Sequence, residues 1–472
     1  MTHPLTRQER LIIGQHQRKH MRRADHAGWT PKHRTESPIK LLQHSVRGRL
    51  PSLVTLKNQR MAETPFAYFR GAVPVMAYDL SLGPNSGIHN QLCGDAHVSN
   101  LGAFEGPDGR LVFDVNDFDE TIVGPFEWDV KRMATSLILA GRGAGAKNGH
   151  CQEAVAVFLE DYRRSMLHFS RMPVLEMARH QVHRISDVAA LSEIFSMAQR
   201  ATPIHNLLAL TEPAPDPEQP QKHSAAKPRQ PKDVELSTSI SDQPRIFNTI
   251  EPVLTRITGA AAQRIIDSLT SYANSLLPER RRFLAQYRPI DVAFKVVGTG
   301  SVGLRDYVIY MQGNGPKDPL FIQIKEEVLS AYTPYLGKAG KHFNHQGRRV
   351  VEGERAMQLQ SDPFLGWTNI EGRDYLVRQL NDHKAAIDIA QLKASGLLEY
   401  AGVCGELLAR GHARAGDCVM LAGYIGTSPR FDEAIAKFAE AYANQTEIDW
   451  KHFVHSTSTK TSKTGKPRKS KS

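Results

Sequence analysis

The spacing of apolar residues changes period along this chain, and each change predicts an element. In CQEAVAVFLEDYRRSMLHFS, Ala154, Val157, Phe158 and Tyr162 recur at helical spacing. Further on the period drops to two, with Val292, Phe294 and Val296 alternating as in a strand. DYVIYMQG follows, rich in Val, Ile and Tyr, and Gly313-Asn314-Gly315 closes it as a hairpin signal. Leu320 to Lys325 reads as a third, apolar strand ending in a single lysine, and Tyr375 to Leu380 as another. RRVVEGERAMQLQ and GLLEYAGVCGELLARGHARAGD return to the helical period, and Leu111-Val112-Phe113 reads as a short buried strand.

This pattern divides the chain. Residues 1–60 form a basic N-terminal extension, helical in part, and residues 61–211 alternate apolar runs with Gly/Asp/Asn turns before becoming helical. Residues 212–245 are Pro-rich and polar, a flexible insertion or linker. Residues 246–382 begin helical and pass through strands, 383–455 are helical, and 456–472 have the composition of a disordered basic tail. No repeat of solenoid type is present.

Composition changes this picture little, and charge changes it only after it is located. The 472 residues are 40% hydrophobic and 23% charged, with a net charge of +11. Residues 1–60 hold 13 Lys/Arg against 3 Asp/Glu, and the tail from Ser456 holds six basic residues and no acid. The two ends therefore carry more than the whole excess, and the rest is slightly acidic. A basic face across the fold is not supported; the tail reads as a solubilising extension, able to touch nucleic acid or an anionic surface weakly. Cys93, Cys151, Cys404 and Cys418 show no CxxC spacing, against a disulfide framework or structural zinc. With no apolar run of membrane-spanning or signal-peptide length, the expectation is a soluble cytoplasmic protein.

Two segments carry candidate chemistry. In CGDAHVSN, Asp95 and Asn100 lie five residues apart in a loop, a spacing that lets one side chain meet an incoming hydroxyl while the other reaches a metal. After the short strand come Asp114, Asp117, Asp119 and Glu120, and carboxylates at a strand end suit a hard cation such as Mg2+. Asp114, Asp119 and Glu120 read equally as turn-formers or supporting acids. The second segment holds Gly298, Gly300 and Gly303. A dinucleotide fingerprint must lie between a strand and a helix, whereas a kinase glycine loop joins two strands. No helical pattern begins at Gly303, so the hairpin reading wins. Lys325 is then placed to meet nucleotide phosphates, against the plainer role of ending an edge strand. Glu352 or Glu354 on the following helix could orient it, and Glu352 is preferred.

GDAHVSN resembles the catalytic loop of aminoglycoside-phosphotransferase-type kinases, HGD-x-H-x-x-N, with the Asp-to-Asn interval that protein kinases share. The resemblance continues: Asp117 follows a short strand, and Asp129 comes 12 residues after it. Cys93 stands where that family places His. The glycine loop and lysine follow the catalytic segment here, so the resemblance implies a circular permutation. FAYFRGA, CGDAHVSN, VFDVNDFDE, GPFEWDVKR, RVVEGERAMQ and DPFLGW are also similar to a family of uncharacterised bacterial proteins, domain of unknown function 2252, over most of residues 40–450. Together these imply an α+β, protein-kinase-like, two-lobed fold in permuted order, with a small antiparallel-sheet lobe and a mainly helical lobe. They further imply Mg-ATP as cosubstrate and an unknown hydroxyl-bearing acceptor. Asp95 would be catalytic, Asn100 and Asp117 would hold the metal, and Gly298, Gly300, Gly303, Lys325 and Glu352 would bind the nucleotide. Two other readings stay open: a non-catalytic nucleotide-binding module, and a metal-dependent phosphoesterase using His97, Asp117 and Asp119.

Overall fold

Ser37-Pro38, Leu50-Pro51 and Thr64-Pro65 each put proline at a first helical position, where its missing N–H would be unbonded anyway. They open α2 (Pro38–Ser45), α3 (Pro51–Ala62) and α4 (Pro65–Gly71), after α1 (Arg7–Gln17) and before α5 (Val73–Ser81). The computed structural model describes residues 4–181, 189–200, 202–215, 243–296, 298–337, 343–380, 385–386 and 395–464. With 54% of the chain helical and 16% in strands, the fold is mixed α+β with small antiparallel sheets.

Four short strands follow: β1 (His89–Leu92), β2 (Leu101–Glu105), β3 (Leu111–Val115) and β4 (Ile122–Pro125). β1 pairs with β4 and β2 with β3, so the segments between them are brought side by side. Then come α6 (Glu127–Gly143), α7 (Asn148–Phe169), α8 (Val174–Arg179), α9 (Ala189–Arg200) and α10 (Pro203–Leu210). Every residue of α6 from Glu127 to Gly141 is buried, its charged ones included. Buried charges need partners. Glu127 accepts from the backbone N and hydroxyl of Ser86 (2.6 and 2.7 Å), and Lys131 lies 4.5 Å over the Phe438 ring.

β5 (Thr211–Pro213) pairs antiparallel with β6 (Arg245–Phe247). The expected linker of 212–245 is thus ordered at both ends; residues 216–242 lie outside the described residues. After β7 (Leu254–Ile257), α11 (Gly259–Asp267), α12 (Leu269–Ser275) and α13 (Pro278–Leu284) come β8 (Arg288–Lys295), β9 (Asp306–Gln312) and β10 (Pro319–Glu326). Next are α14 (Gln346–Met357), β11 (Gly366–Ile370) and β12 (Arg373–Gln379). The expected hairpin is present: β8 pairs β9 with Val292 opposite Ile309, and β9 pairs β10 with Asp306 opposite Lys325. The six strands form one antiparallel sheet in the order β11-β12-β10-β9-β8-β7. All eight residues of β10 are buried, so its polar ones are matched. Gln323 donates to Asp306 at 2.7 Å, and Glu326 pairs with Arg305 and Arg373 at 3.0 and 2.9 Å. Asn381-Asp382, which the sequence offers as a hinge after the strand from Tyr375 to Leu380, lies outside the described residues.

β13 (Ala385–Ala386) adds to β2, and α15 (Ser395–Ala415), α16 (Cys418–Ile425) and α17 (Arg430–Thr464) end the fold. α15 lies against α7 so closely that a Cβ at Gly405 would meet the Phe158 carbonyl oxygen at 2.4 Å. One expectation is corrected here. α17 continues through Ser456 to Thr464, so the tail is helical over its first half. Residues 1–60, expected to be basic and helical in part, are helical in part and packed on the rest of the fold: α1 packs on α16, and Arg34 is buried between Asp79 (2.6 Å) and Asp449 (2.8 Å). No helix among the described residues is long and apolar enough to cross a membrane.

Candidate active site

The loop from Cys93 to Asn100 takes its shape from α6. Gly94 has φ +83°, and a Cβ there would meet the Glu120 carbonyl oxygen at 2.1 Å, so only glycine lets this loop lie against the acid-rich one. Asp129, near the start of α6, accepts the backbone N–H groups of Cys93 (2.8 Å) and Gly94 (3.0 Å). His412 of α15 stands 3.3 Å from the same carboxylate and is held by the Tyr162 hydroxyl at 2.8 Å. Asp129 therefore fixes the loop backbone.

One helical turn on, Arg132 donates to the Asp95 carboxylate at 2.6 Å and to the Phe69 carbonyl at 3.1 Å. Burial pushes the Asp95 carboxyl up to about 6 against the pull of Arg132, and the charge of Asp117 adds to the rise. Asn100 donates its side-chain N–H to the Asp95 carbonyl oxygen (2.7 Å), leaving its side-chain oxygen as the remaining acceptor. His97 is buried; its Nδ1 accepts from the Ser99 amide (3.2 Å) and its Nε2 lies 3.7 Å from Asp95. It supports the loop.

Lys325 arrives from β10, more than two hundred residues away in sequence. Its Nζ is 2.5 Å from Asp119 and 3.8 Å from Asp117. Burial opposes its charge, and the carboxylates of Asp117 and Asp119 outweigh burial and hold it above its ordinary value. The expected partner, Glu352, is elsewhere: it pairs with Arg348 at 2.6 Å, one turn away on the half-exposed face of α14. That places Asp119, which the kinase-like reading leaves as a turn or supporting acid, as the carboxylate on Lys325. Glu352→Ala should change stability by no more than about 0.5 kcal/mol, as surface substitutions do. Thermal denaturation checks this, and a several-fold larger loss would restore a buried role for it.

The glycine loop is held by residues that sequence reasoning left out. Gly298 and Gly303 have φ of +68° and +95°, and between them the backbone carbonyls face α3. Lys57 donates to the carbonyls of Thr299 (3.1 Å) and Gly300 (2.8 Å). Arg49 donates to those of Gly300 (2.9 Å) and Val302 (2.7 Å), Arg60 to that of Gly298, and the Leu50 amide to that of Gly303 (2.8 Å). Burial, with Arg49 beside it, pushes the Lys57 ammonium down to about 7. The only trace in the sequence is the basic excess of residues 1–60. Lys57→Met should speed amide exchange in residues 298–303; unchanged exchange there would show that the other contacts suffice.

These groups surround one cavity of about 600 Å3, lined by Asp95, Asn100, Asp117, Gly298 and Gly300, with Arg70 among the remaining residues. Lys325 does not line it directly; its ammonium lies behind Asp119, which does. Gly303 sits at the rear of the loop, in a smaller space shared with Lys325. Among the described residues no three or more His, Cys, Asp or Glu side chains gather as a metal cage. The donor set of Asn100 and the part-exposed Asp117 instead fits Mg2+, which keeps waters and is shared with substrate phosphates. His97, Asp117 and Asp119 all line this cavity, with Asp119 engaged by Lys325 and His97 at 3.7 Å from Asp95.

Residues 49–456 match the family described as "Uncharacterized protein conserved in bacteria" (DUF2252), and the chain belongs to it. Comparison with curated proteins and with solved structures found no match.

Proposed function

We propose that this chain is a phosphotransferase of permuted kinase-like construction that uses Mg-ATP to modify a hydroxyl-bearing acceptor, with a small molecule favoured over a protein. One observation carries the reading. Asp95, Asn100 and Asp117 come from residues 95–117, yet Gly298 and Gly300 line the same cavity, and Lys325 stands behind its wall at 3.8 Å from Asp117. A glycine hairpin, a lysine strand, a helix and two further strands, in that order, are also the parts that a kinase nucleotide lobe needs.

In this reading Asp95 accepts the hydrogen bond of the acceptor hydroxyl and then its proton, while Arg132 fixes the carboxylate's direction. A loop gripped through its carbonyl oxygens by Arg49, Lys57 and Arg60 keeps its amide N–H groups for phosphate oxygens. Lys325 contacts the α- and β-phosphates, with Asp119 steadying it in the absence of nucleotide. Asn100 and Asp117 would hold Mg2+, which supplies neutralising charge at the phosphates. The ion pair of Lys325 with Asp119, and not with Glu352, also keeps alive a non-catalytic nucleotide-binding module.

The test is release or transfer of the γ-phosphate from labelled ATP with Mg2+, using the full chain. Asp117→Asn should abolish it. Transfer by that variant at the wild-type rate would refute the assignment.

A further inference from the structure

A second cavity, of about 320 Å3, lies among α1, the C-terminal end of α7 and the C-terminal end of α16. Arg7, Arg18, Arg23 and Arg171 line it together with Ser170 and Ser428, and no Asp or Glu does. Arg18 donates to the Tyr424 carbonyl at 2.9 Å, and Arg23 to the Ile425 carbonyl at 2.7 Å and the Ser428 hydroxyl at 3.3 Å. Two of the four arginines are thus accounted for as cations on a helix C-terminus, which such charges favour.

That account does not reach the other two. Arg7 uses one donor on the Ser170 carbonyl (2.9 Å), and Arg171 lies exposed at the rim. A guanidinium carries five donors, so four of them around one space hold far more than these contacts consume. The charges also oppose one another. Burial and the neighbouring Arg23 lower Arg18, while burial and Arg430 lower Arg23. Asp432 attracts Arg23 from a distance, but its carboxylate is bonded to Arg163 at 2.7 Å. Four like charges converge on a concave site with hydroxyls at its wall and no acid in its lining.

We propose that this cavity binds a compact phosphate anion of the diphosphate class. Guanidinium groups match phosphate oxygens in paired hydrogen bonds, and a concave space of this size suits a small polyanion better than an extended nucleic-acid backbone. The site stands apart from the catalytic cavity, sharing no lining residue with it. It does not depend on the phosphotransferase reading. Three of its arginines precede the residues matched by the family, so the N-terminal segment builds it.

Isothermal titration of the full chain with sodium diphosphate, at low and at raised salt, tests this. The expected result is one saturable site whose affinity falls as salt rises. It should weaken about tenfold or more in the Arg7→Gln/Arg171→Gln double variant, from the loss of charge-assisted hydrogen bonds. Both side chains are at the surface, and a circular dichroism spectrum confirms the fold. Ser428→Glu, which sets a carboxylate in the cavity, should abolish binding. Absence of binding to the wild type would overturn the proposal. So would binding kept by these variants and lost on Lys325→Gln, which would assign the diphosphate to the catalytic cavity.

Discussion

Asp95→Asn should lower phosphate transfer from ATP by about 10²- to 10⁴-fold, the range for a positioned general base, while ATP affinity stays unchanged. The split follows from where Asp95 sits. It lines the cavity and bonds to Arg132, whereas Lys325 is held by Asp119 and the glycine loop by Arg49, Lys57 and Arg60. The substitution keeps the size of the side chain and one carbonyl acceptor for Arg132. Arg132 also keeps its bond to the Phe69 carbonyl and its place 4.3 Å over the Phe69 ring. Folding should therefore survive, which a melting curve verifies. Lost turnover with intact ATP binding identifies Asp95 as the acceptor's base. Turnover that is absent from wild type and variant alike, with binding present in both, would instead identify a non-catalytic nucleotide module.

Arg34→Met should cost about 3–5 kcal/mol, the range for removing one partner of a buried charge cluster. Arg34 makes two bonds to Asp79 (2.7 and 2.6 Å) and two to Asp449 (3.1 and 2.8 Å), and Tyr442 donates to Asp79 at 2.7 Å. All of these side chains are within a tenth of full burial. Burial already raises the Asp79 carboxyl against the pull of Arg34, so without the guanidinium two carboxylates would face each other in a dry site. Methionine fills much of the space and supplies no charge. The site links the N-terminal segment, α5 and α17, which lie far apart in sequence, so denaturant titration should show the whole cooperative transition shifting. A change within about 0.5 kcal/mol, typical of surface sites, would mean that Arg34 does not tie residues 1–60 to the rest of the fold.

What could be read from the sequence was local. The glycine hairpin, the lysine strand and the helices around them are each encoded in a short run of apolar spacing, and the structure has all of them. The Asp95–Asn100 loop and Asp117 stood out because their intervals are fixed within one loop and one strand end. Partners across the fold were another matter. Arg49, Lys57 and Arg60 bind backbone carbonyls, and a carbonyl leaves no mark on residue identity. Asp119 reads as a turn-former or supporting acid, because nothing in its local spacing points to a lysine more than two hundred residues away. Glu352 is the instructive miss. It follows Arg348 by four residues, the spacing of a surface ion pair, while Val350, Val351, Glu354 and Met357 trace the buried face. The helical period alone would have turned Glu352 outward. Residues past Phe453 lack an apolar stripe, so the continuation of α17 to Thr464 was hidden from a reading by hydrophobic spacing.

The central claim is that two distant segments build one nucleotide site, and equilibrium binding of ATP to the full chain tests it most directly. The titration is run with and without Mg2+, on the wild type, Lys325→Gln and Asp117→Asn. The expected result is Mg-dependent binding to the wild type, weakened about tenfold or more by loss of the lysine's charge-assisted contacts to phosphate. Asp117→Asn should remove the dependence on Mg2+. ATP binding that neither substitution changes, or no binding by the wild type, would contradict the claim.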